Sequence, residues 1–352
     1  MKKAEWKVGI IGAGGISAAH IEALAQEPRA QLCAIADLDE AVARSRVNDY
    51  GNPAVYRDYQ KMLEQEQLDG VIICLPNHLH EQVAIAVLDA GCHVLCEKPL
   101  ATSADAARRM AEHARRTGKV LMVGQNNRFR ADAQLLKRLL TDDRLGDVYH
   151  AKAGWIRRNG IPGWGSWFTD RERAGGGPLI DIGVHMLDLT LWLLNFPRPV
   201  SVFGQTYARF GPHKKGLSAW GTVMAEGRFD VEDSAVALIR FDNGFTLNLD
   251  ASWASHIPKE RAYVDLLGET AGASLDFYSQ RLRLFQEETG IPVDAEMTPG
   301  PQHDRLQLLS NWIGVMAGTE QPICTAEQGV EVLRILDAIY TSAQTGQSVS
   351  LD

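Results

Sequence analysis

An apolar run, His93-Val94-Leu95-Cys96, stops at Glu97-Lys98-Pro99, and a helix-forming sequence follows. Burying either charge without a partner costs several kcal/mol, so a carboxylate and an ammonium at the end of a buried strand imply something there to be met. Further along, Asp181 and His185 stand four residues apart in an apolar helical run, a spacing that puts both on one helix face. Histidine titrates nearest neutral pH and suits the acceptance of a proton. Asp181 can orient a hydroxyl or the imidazole, or act as a helix N-terminal charge facing the dipole. Lys98, as an ammonium, suits an oxygen on which negative charge develops.

These residues need elements to position them, and the first third of the chain supplies a regular set. "KVGIIG", "AQLCAIAD", "DGVIICLP", "HVLCEKP" and "KVLMVGQ" alternate with helical patterns such as "HEQVAIAVLDAG" and "SADAARRMAEHARRTG". Continuous apolar strands alternating with such helices read as a parallel sheet covered on both faces, a doubly wound α/β domain. Ser103 is the expected N-cap and Gly118 the expected stop of the last of those helices.

After about Asn126 the rhythm changes. The helical "ADAQLLKRLLTDD" leads to the strand "VYHAKAGWIRR", a Gly/Trp-rich loop and one long apolar helix, "PLIDIGVHMLDLTLWLL". Strands "SAVALIRF" and "FTLNLDASWAS" flank the hairpin turn Asp242-Asn243-Gly244, and "RAYVDLLG" and "GASLDFY" flank "ETA". The end is helical, with Thr325-Ala326-Glu327-Gln328 as a capping box. The expected division is residues 1–125 and 126–352, the second part a large, open, mainly antiparallel sheet with helices on one face. The other face then calls for a partner subunit.

"VGIIGAGGIS" places Gly12 and Gly14 directly after a strand, Gly15 and Ile16 at the opening of a helix, and Ser17 where a third glycine is usual. Backbone N–H groups and a helix N-terminus in that position receive a pyrophosphate that a Cβ at Gly12 or Gly14 would obstruct. Asp37 ends the second strand, where a carboxylate binds the adenosine ribose and repels a 2'-phosphate, which favours NAD over NADP. Leu75, Pro76, Asn77, His78 and His80 follow another strand end, to line the nucleotide crevice or cap the next helix. No HExxH, CxxC or paired-carboxylate cluster points to a metal.

Composition narrows the partners. The 352 residues are 45% hydrophobic and 23% charged, with formal net charge −8 and scattered basic pairs, which argues against a nucleic-acid face and for a small molecule. No apolar run approaches the ~18 residues of a membrane span and no signal-peptide pattern opens the chain, so a cytoplasmic location is expected.

The sequence resembles the Gfo/Idh/MocA oxidoreductases. The resemblance runs over essentially the whole chain and rests on "GAGGIS", "EKP" at 97–99, "GQNNRFR" at 124–130 and "AGGGPLIDIGVHMLDL" at 174–189. It implies a Rossmann domain and a larger open-sheet α/β domain, a nicotinamide cofactor, a sugar or polyol substrate, and a homodimer or homotetramer. It also implies the catalytic set Lys98, Asp181 and His185, contact of Glu97 with the ribose nearest the nicotinamide, a cis Lys98–Pro99 bond, and Gln125 and Asn127 in a loop facing cofactor and substrate. Removal of hydride from a carbinol requires the hydroxyl proton to leave, with His185 as acceptor and Lys98 holding the oxygen or relaying the proton. The alternative is redox-neutral glycosidase or lyase chemistry, with NAD oxidising a carbon transiently, elimination, and return of the hydride.

"GWIRRNGIPGWGSWFTDRERAGGG" precedes the histidine helix. Its Trp155, Trp164, Trp167 and Phe168 suit the apolar faces of a sugar ring, or pack a domain interface. Arg128, Arg157 and Arg158 could hold an anion or be surface charges. Asn126 and Asn127 favour a neutral, hydroxyl-rich ligand, a sugar, anhydrosugar or cyclitol.

Overall fold

The computed structural model describes residues 5–351. The chain forms two compact units, one running to Phe129 and joined by His303–Val330, the other comprising Arg130–Gln302 and the chain from Glu331.

The first unit carries β1 (Trp6–Ile11), β2 (Ala30–Ala36), β3 (Ala54–Tyr56), β4 (Gly70–Ile73), β5 (His93–Cys96) and β6 (Leu121–Val123). They form one parallel sheet in the order β3-β2-β1-β4-β5-β6. The helices between them are α1 (Gly15–Gln26), α2 (Glu40–Val47), α3 (Tyr59–Gln65), α4 (His80–Asp89) and α5 (Ala104–Thr117). All of β4 and the last four residues of β1 are buried without alternation, as strands covered on both faces require. Strand order reverses between β1 and β4, the point at which such sheets open a ligand crevice beyond the strands' carboxyl ends. Ser103 Oγ accepts the Ala106 N–H, and Gly118 ends α5 at φ 67°, both as expected.

In the second unit, α6 (Ala131–Thr141), β7 (Val148–Ile156), the single turn α7 (Arg171–Ala174) and α8 (Val184–Leu193) precede the remaining strands. These are β8 (Pro199–Tyr207), β9 (Ser234–Phe241), β10 (Thr246–Ser252), β11 (Arg261–Gly268), β12 (Ala271–Asp276), β13 (Arg281–Glu288) and β14 (Ile291–Met297). The chain then forms α9 (Asp304–Met316), α10 (Ala326–Thr345) and β15 (Val349–Ser350). The second sheet has nine strands in the order β14-β13-β12-β11-β7-β10-β9-β8-β15, antiparallel except where β7 meets β10. The Asp242-Asn243-Gly244 turn joins β9 to β10, with Gly244 at φ 86°.

Two expectations change. A single cut after residue 125 misses the return of residues 303–330 to the first unit, where Leu308, Leu309, Trp312 and Ile313 of α9 complete the core. Gly70 makes room for this, because a Cβ there would lie 2.7 Å from the Trp312 ring. The long apolar helix is also not uniform: Leu179–Gly183 is a π turn, and the α-helix begins only at Val184. The capping box at 325–328 is reciprocal, with Gln328 N–H donating to Thr325 Oγ1 at 3.2 Å and Thr325 N–H to Gln328 Oε1 at 3.3 Å. Among the described residues no helix is long and apolar enough to cross a membrane.

Candidate active site

The two glycines of the first loop have different reasons to be glycine. Gly12 sits at φ 99°, and a Cβ there would strike the Cys74 backbone carbonyl of the neighbouring strand end, so the fold itself demands it. Around Gly14 and Gly15 a Cβ would meet no protein atom within 4 Å. Gly14 is also the N-cap of α1 and offers no side chain to the helix's first N–H groups. Open space at an uncapped helix N-terminus is the cradle a pyrophosphate fits. Ser17, in place of the third glycine, is buried and donates its hydroxyl to the Gly14 carbonyl at 2.7 Å. Ile16 stands exposed beside it.

Asp37 fixes this loop from the end of β2. Its Oδ2 accepts the Ala13 N–H at 2.7 Å and its Oδ1 the Asp39 N–H at 2.9 Å, which leaves each oxygen a lone pair for a ribose hydroxyl. Beyond β4, Leu75 and Pro76 are half-buried, and Asn77 is buried at the start of a short 3₁₀ turn. His80 is wholly enclosed, its Nδ1 2.9 Å from the Pro99 carbonyl and its Nε2 2.9 Å from the Leu75 carbonyl. The ring that reads in sequence as a crevice or cap residue clamps the backbone of two strand ends together. Burial is the main influence on it and lowers its pKa, with those carbonyls opposing.

At the end of β5, Glu97 is buried, Lys98 is half-buried and the Lys98–Pro99 peptide is cis. Glu97 Oε1 lies 2.7 Å from His20 Nε2 and 2.5 Å from Arg305 Nη1, so the carboxylate is met by two residues that sequence reasoning missed. Neither was legible: His20 reads as one more position of an amphipathic helix, and Arg305 is separated from Glu97 by 208 residues. Gly124 opposite has to be small, since a Cβ would sit 3.2 Å from Glu97 Cα, Cδ and Oε1. After β6, Gln125 Oε1 and Asn127 Nδ2 are buried polar atoms with no protein partner, a cost that a bound polar ligand removes. Arg128 is neither an anion site nor a surface charge. It is 1% exposed and donates to the Ile323 carbonyl and Gln328 Oε1 at 2.5 Å each.

In the second unit, three glycines and a proline launch the π turn. A Cβ at Gly176 would meet the Tyr340 ring and one at Gly177 the Glu232 backbone. Glu232 Oε1 accepts the Gly177 N–H at 2.9 Å, the Leu179 N–H at 3.2 Å and the Tyr340 hydroxyl at 2.8 Å. Burial, the largest influence, raises the Glu232 pKa against those donors. On the π turn, Asp181 Oδ2 accepts the Trp253 indole N–H at 2.9 Å. One turn on, His185 is half-buried with its ring 5.8 Å from that of Trp155, tilted 47°. Arg157 lies over the same indole at 5.0 Å, and the Trp155 N–H donates to the Tyr278 hydroxyl at 3.3 Å.

Of the tryptophans read from the loop, the structure therefore brings Trp155 to the histidine. Trp164 is 6% exposed in a hydrophobic cluster with Ile161, Ile182 and Trp253, and its N–H is given to the Gly211 carbonyl at 2.8 Å. Its role is packing. Trp167 stacks on Phe168 at 3.7 Å, with Trp220 against the other ring.

Known proteins share this fold. Residues 6–125 match the oxidoreductase family with an NAD-binding Rossmann fold, and residues 133–274 match the GFO/IDH/MocA C-terminal domain. The chain is 36% identical to the D-glucoside 3-dehydrogenase of Escherichia coli over 355 residues, covering 100% of this chain and 99% of that protein. It is 28% identical to D-xylose 1-dehydrogenase (NADP(+)) 2 of Haloferax volcanii, covering 98% and 99%. Levoglucosan dehydrogenase in complex with NADH has the same fold at TM-score 0.88 and 22% identity, covering 99% of both chains. The chain belongs to the GFO/IDH/MocA family. It is an NAD(P)-dependent oxidoreductase.

Proposed function

We propose that the protein oxidises a secondary hydroxyl of a neutral sugar, with a D-glucoside as the first substrate to try, and that NAD is the preferred acceptor. The observation that carries this reading is the full-length 36% identity to a D-glucoside 3-dehydrogenase in a chain that has Lys98, Asp181 and His185. The preference for NAD is supported by Asp37, whose charge disfavours a 2'-phosphate.

The residues that hold the dinucleotide are Gly12, Gly14, Gly15 and Ile16 at the pyrophosphate, Asp37 at a ribose, and Leu75, Pro76, Asn77, Glu97, Lys98 and Gln125 along the strand ends. When bound, the nicotinamide supplies the hydride acceptor. His185 takes the hydroxyl proton, and Lys98 stabilises the oxygen as charge develops on it. Asp181, held by Trp253, orients the hydroxyl or the imidazole. Asn127, Arg157 and Trp167 contribute to the sugar site, and Trp155 joins them through its contact with His185.

The test is NADH absorbance with NAD or NADP over a panel of glucosides, free aldoses, anhydrosugars and inositols. NADH formation with a glucoside and NAD supports the reading. Aglycone release without net NADH would replace it with redox-neutral glycosidase chemistry.

We also propose that copies pair through the nine-stranded sheet. On the adjacent strands β8 and β9, Phe203 faces Leu238 across the ladder, with Tyr207 and Val236 nearby, and all four are exposed. A row of exposed apolar side chains on a regular sheet is rare in monomers. Sizing chromatography of the wild type and of Phe203→Asp checks it, a dimer or tetramer shifting toward monomer.

A further inference from the structure

Glu97 lies just beyond the carboxyl end of β5, where sheets of this kind receive a dinucleotide, and the two side chains that contact its carboxylate come from outside the EKP motif. Arg305, the second residue of α9, puts Nη1 on Glu97 Oε1, and His20 from α1 puts Nε2 on the same oxygen. The carboxylate side chain is 6% exposed, the imidazole 0% and the guanidinium 18%.

Burial works to raise the Glu97 pKa. The Arg305 charge, the His20 hydrogen bond and the Lys98 charge reverse this and hold the group well below the ordinary carboxylate range. For His20, burial is again the largest influence and lowers the pKa, Arg305 adds to it, and Glu97 opposes. The imidazole is therefore neutral, with its proton on Nε2 toward Glu97 and its Nδ1 lone pair buried without a partner. The other titratable groups that feel Glu97 are Cys74, Cys96 and His80. Burial pushes both thiols up and the imidazole down, so all three are uncharged. The Arg305 guanidinium meets the carboxylate directly, a neutral imidazole shares the same oxygen, and the Lys98 charge adds to the balance.

We infer that Arg305 and His20 are positioning residues for the dinucleotide. By saturating Oε1 they fix the carboxylate in its ionised form and leave Oε2, which accepts the Lys98 N–H at 3.2 Å, as a rigid acceptor for a hydroxyl of the cofactor. The same contacts hold the backbone of Lys98. A segment more than 200 residues away in sequence thus sets the cofactor affinity of the first domain. The inference rests on the cofactor reading above.

The experiment is titration of the purified full chain with NADH, followed by nicotinamide fluorescence at pH 8 and pH 6, alongside thermal melting of the apoprotein. Wild type is expected to bind NADH with the same affinity at both pH values. Arg305→Met is expected to bind at least tenfold more weakly, and its affinity is expected to change at least threefold between the two, because His20 is then the remaining side-chain partner of Glu97 Oε1 and can gain a proton. Arg305→Lys is expected to recover most of the loss. Arg305→Gln, which keeps a hydrogen-bond donor, guards against misfolding of the methionine variant and is expected to behave like it. In a Glu97→Gln background, Arg305→Met should cost less than a further twofold.

Wild-type affinity and a flat pH response in both Arg305→Met and Arg305→Gln would overturn the inference while leaving the cofactor reading intact. Full additivity with Glu97→Gln would overturn it as well. Failure of the wild type to bind NADH would overturn the cofactor reading, and this inference with it.

Discussion

Trp253, fully buried just beyond β10, donates its indole N–H to Asp181 Oδ2 at 2.9 Å, tying the π turn to the central strands of the second sheet. A hydrogen bond to a charged acceptor is worth roughly 1.5–3 kcal/mol, and here it fixes the side chain that we propose orients the reacting groups. Trp253→Phe keeps the ring and removes the donor. Turnover is expected to fall about tenfold with KM little changed, the pattern of a lost transition-state interaction. An unchanged kcat in steady-state kinetics would show that Asp181 needs no such support.

Substitutions at the two glycines of the first loop are expected to separate folding from binding. Gly12→Ala forces a side chain to φ 99° against the Cys74 carbonyl and is expected to cost at least ~2 kcal/mol in denaturant unfolding. Gly14→Ala enters open space, so the apoprotein should melt within about a degree of wild type. Its NADH affinity should nonetheless drop by at least an order of magnitude, read by fluorescence titration.

Glu232 and Tyr340 set the start of the histidine helix. Tyr340→Phe removes one of three donors to Glu232 Oε1, and a buried hydrogen bond of this kind carries about 1–2 kcal/mol. Urea unfolding should show a loss of that size, with NADH affinity unaffected because both residues lie in the second unit.

Acid stability follows from two enclosed histidines. His20 and His80 both have pKa values lowered from 6.5. Below that pH the unfolded chain binds protons that the native chain does not. Stability therefore falls as pH drops through the ordinary histidine range, by up to about 1.4 kcal/mol per pH unit for each ring. Melting temperatures between pH 8 and pH 5 should decline, and His80→Gln should flatten the slope.

Much of this architecture is legible in sequence because it is governed by local chemistry. Strand-helix alternation, the Ser103 and Thr325 caps and the Asp242-Asn243-Gly244 turn each depend on a few neighbouring residues, and each is built as read. β13 and β14 escape that reading because charged residues dominate their exposed positions and only Leu282 and Leu284 are buried. The partners of Glu97 escape it for another reason: Arg305 reaches the first unit only when α9 folds back. The tryptophans show the same limit. Composition marks the loop as aromatic, but only packing shows that Trp164 belongs to the core and Trp155 to His185.

The central claim is that Lys98 and His185 act on one sugar hydroxyl while NAD is reduced. Its most direct test is the rate of NADH formation with NAD and a D-glucoside for the wild type, Lys98→Met and His185→Asn, each first shown to be folded by circular dichroism. The account expects steady NADH production by the wild type and a loss of at least a hundredfold in kcat for each variant. Undiminished turnover in either variant would contradict it.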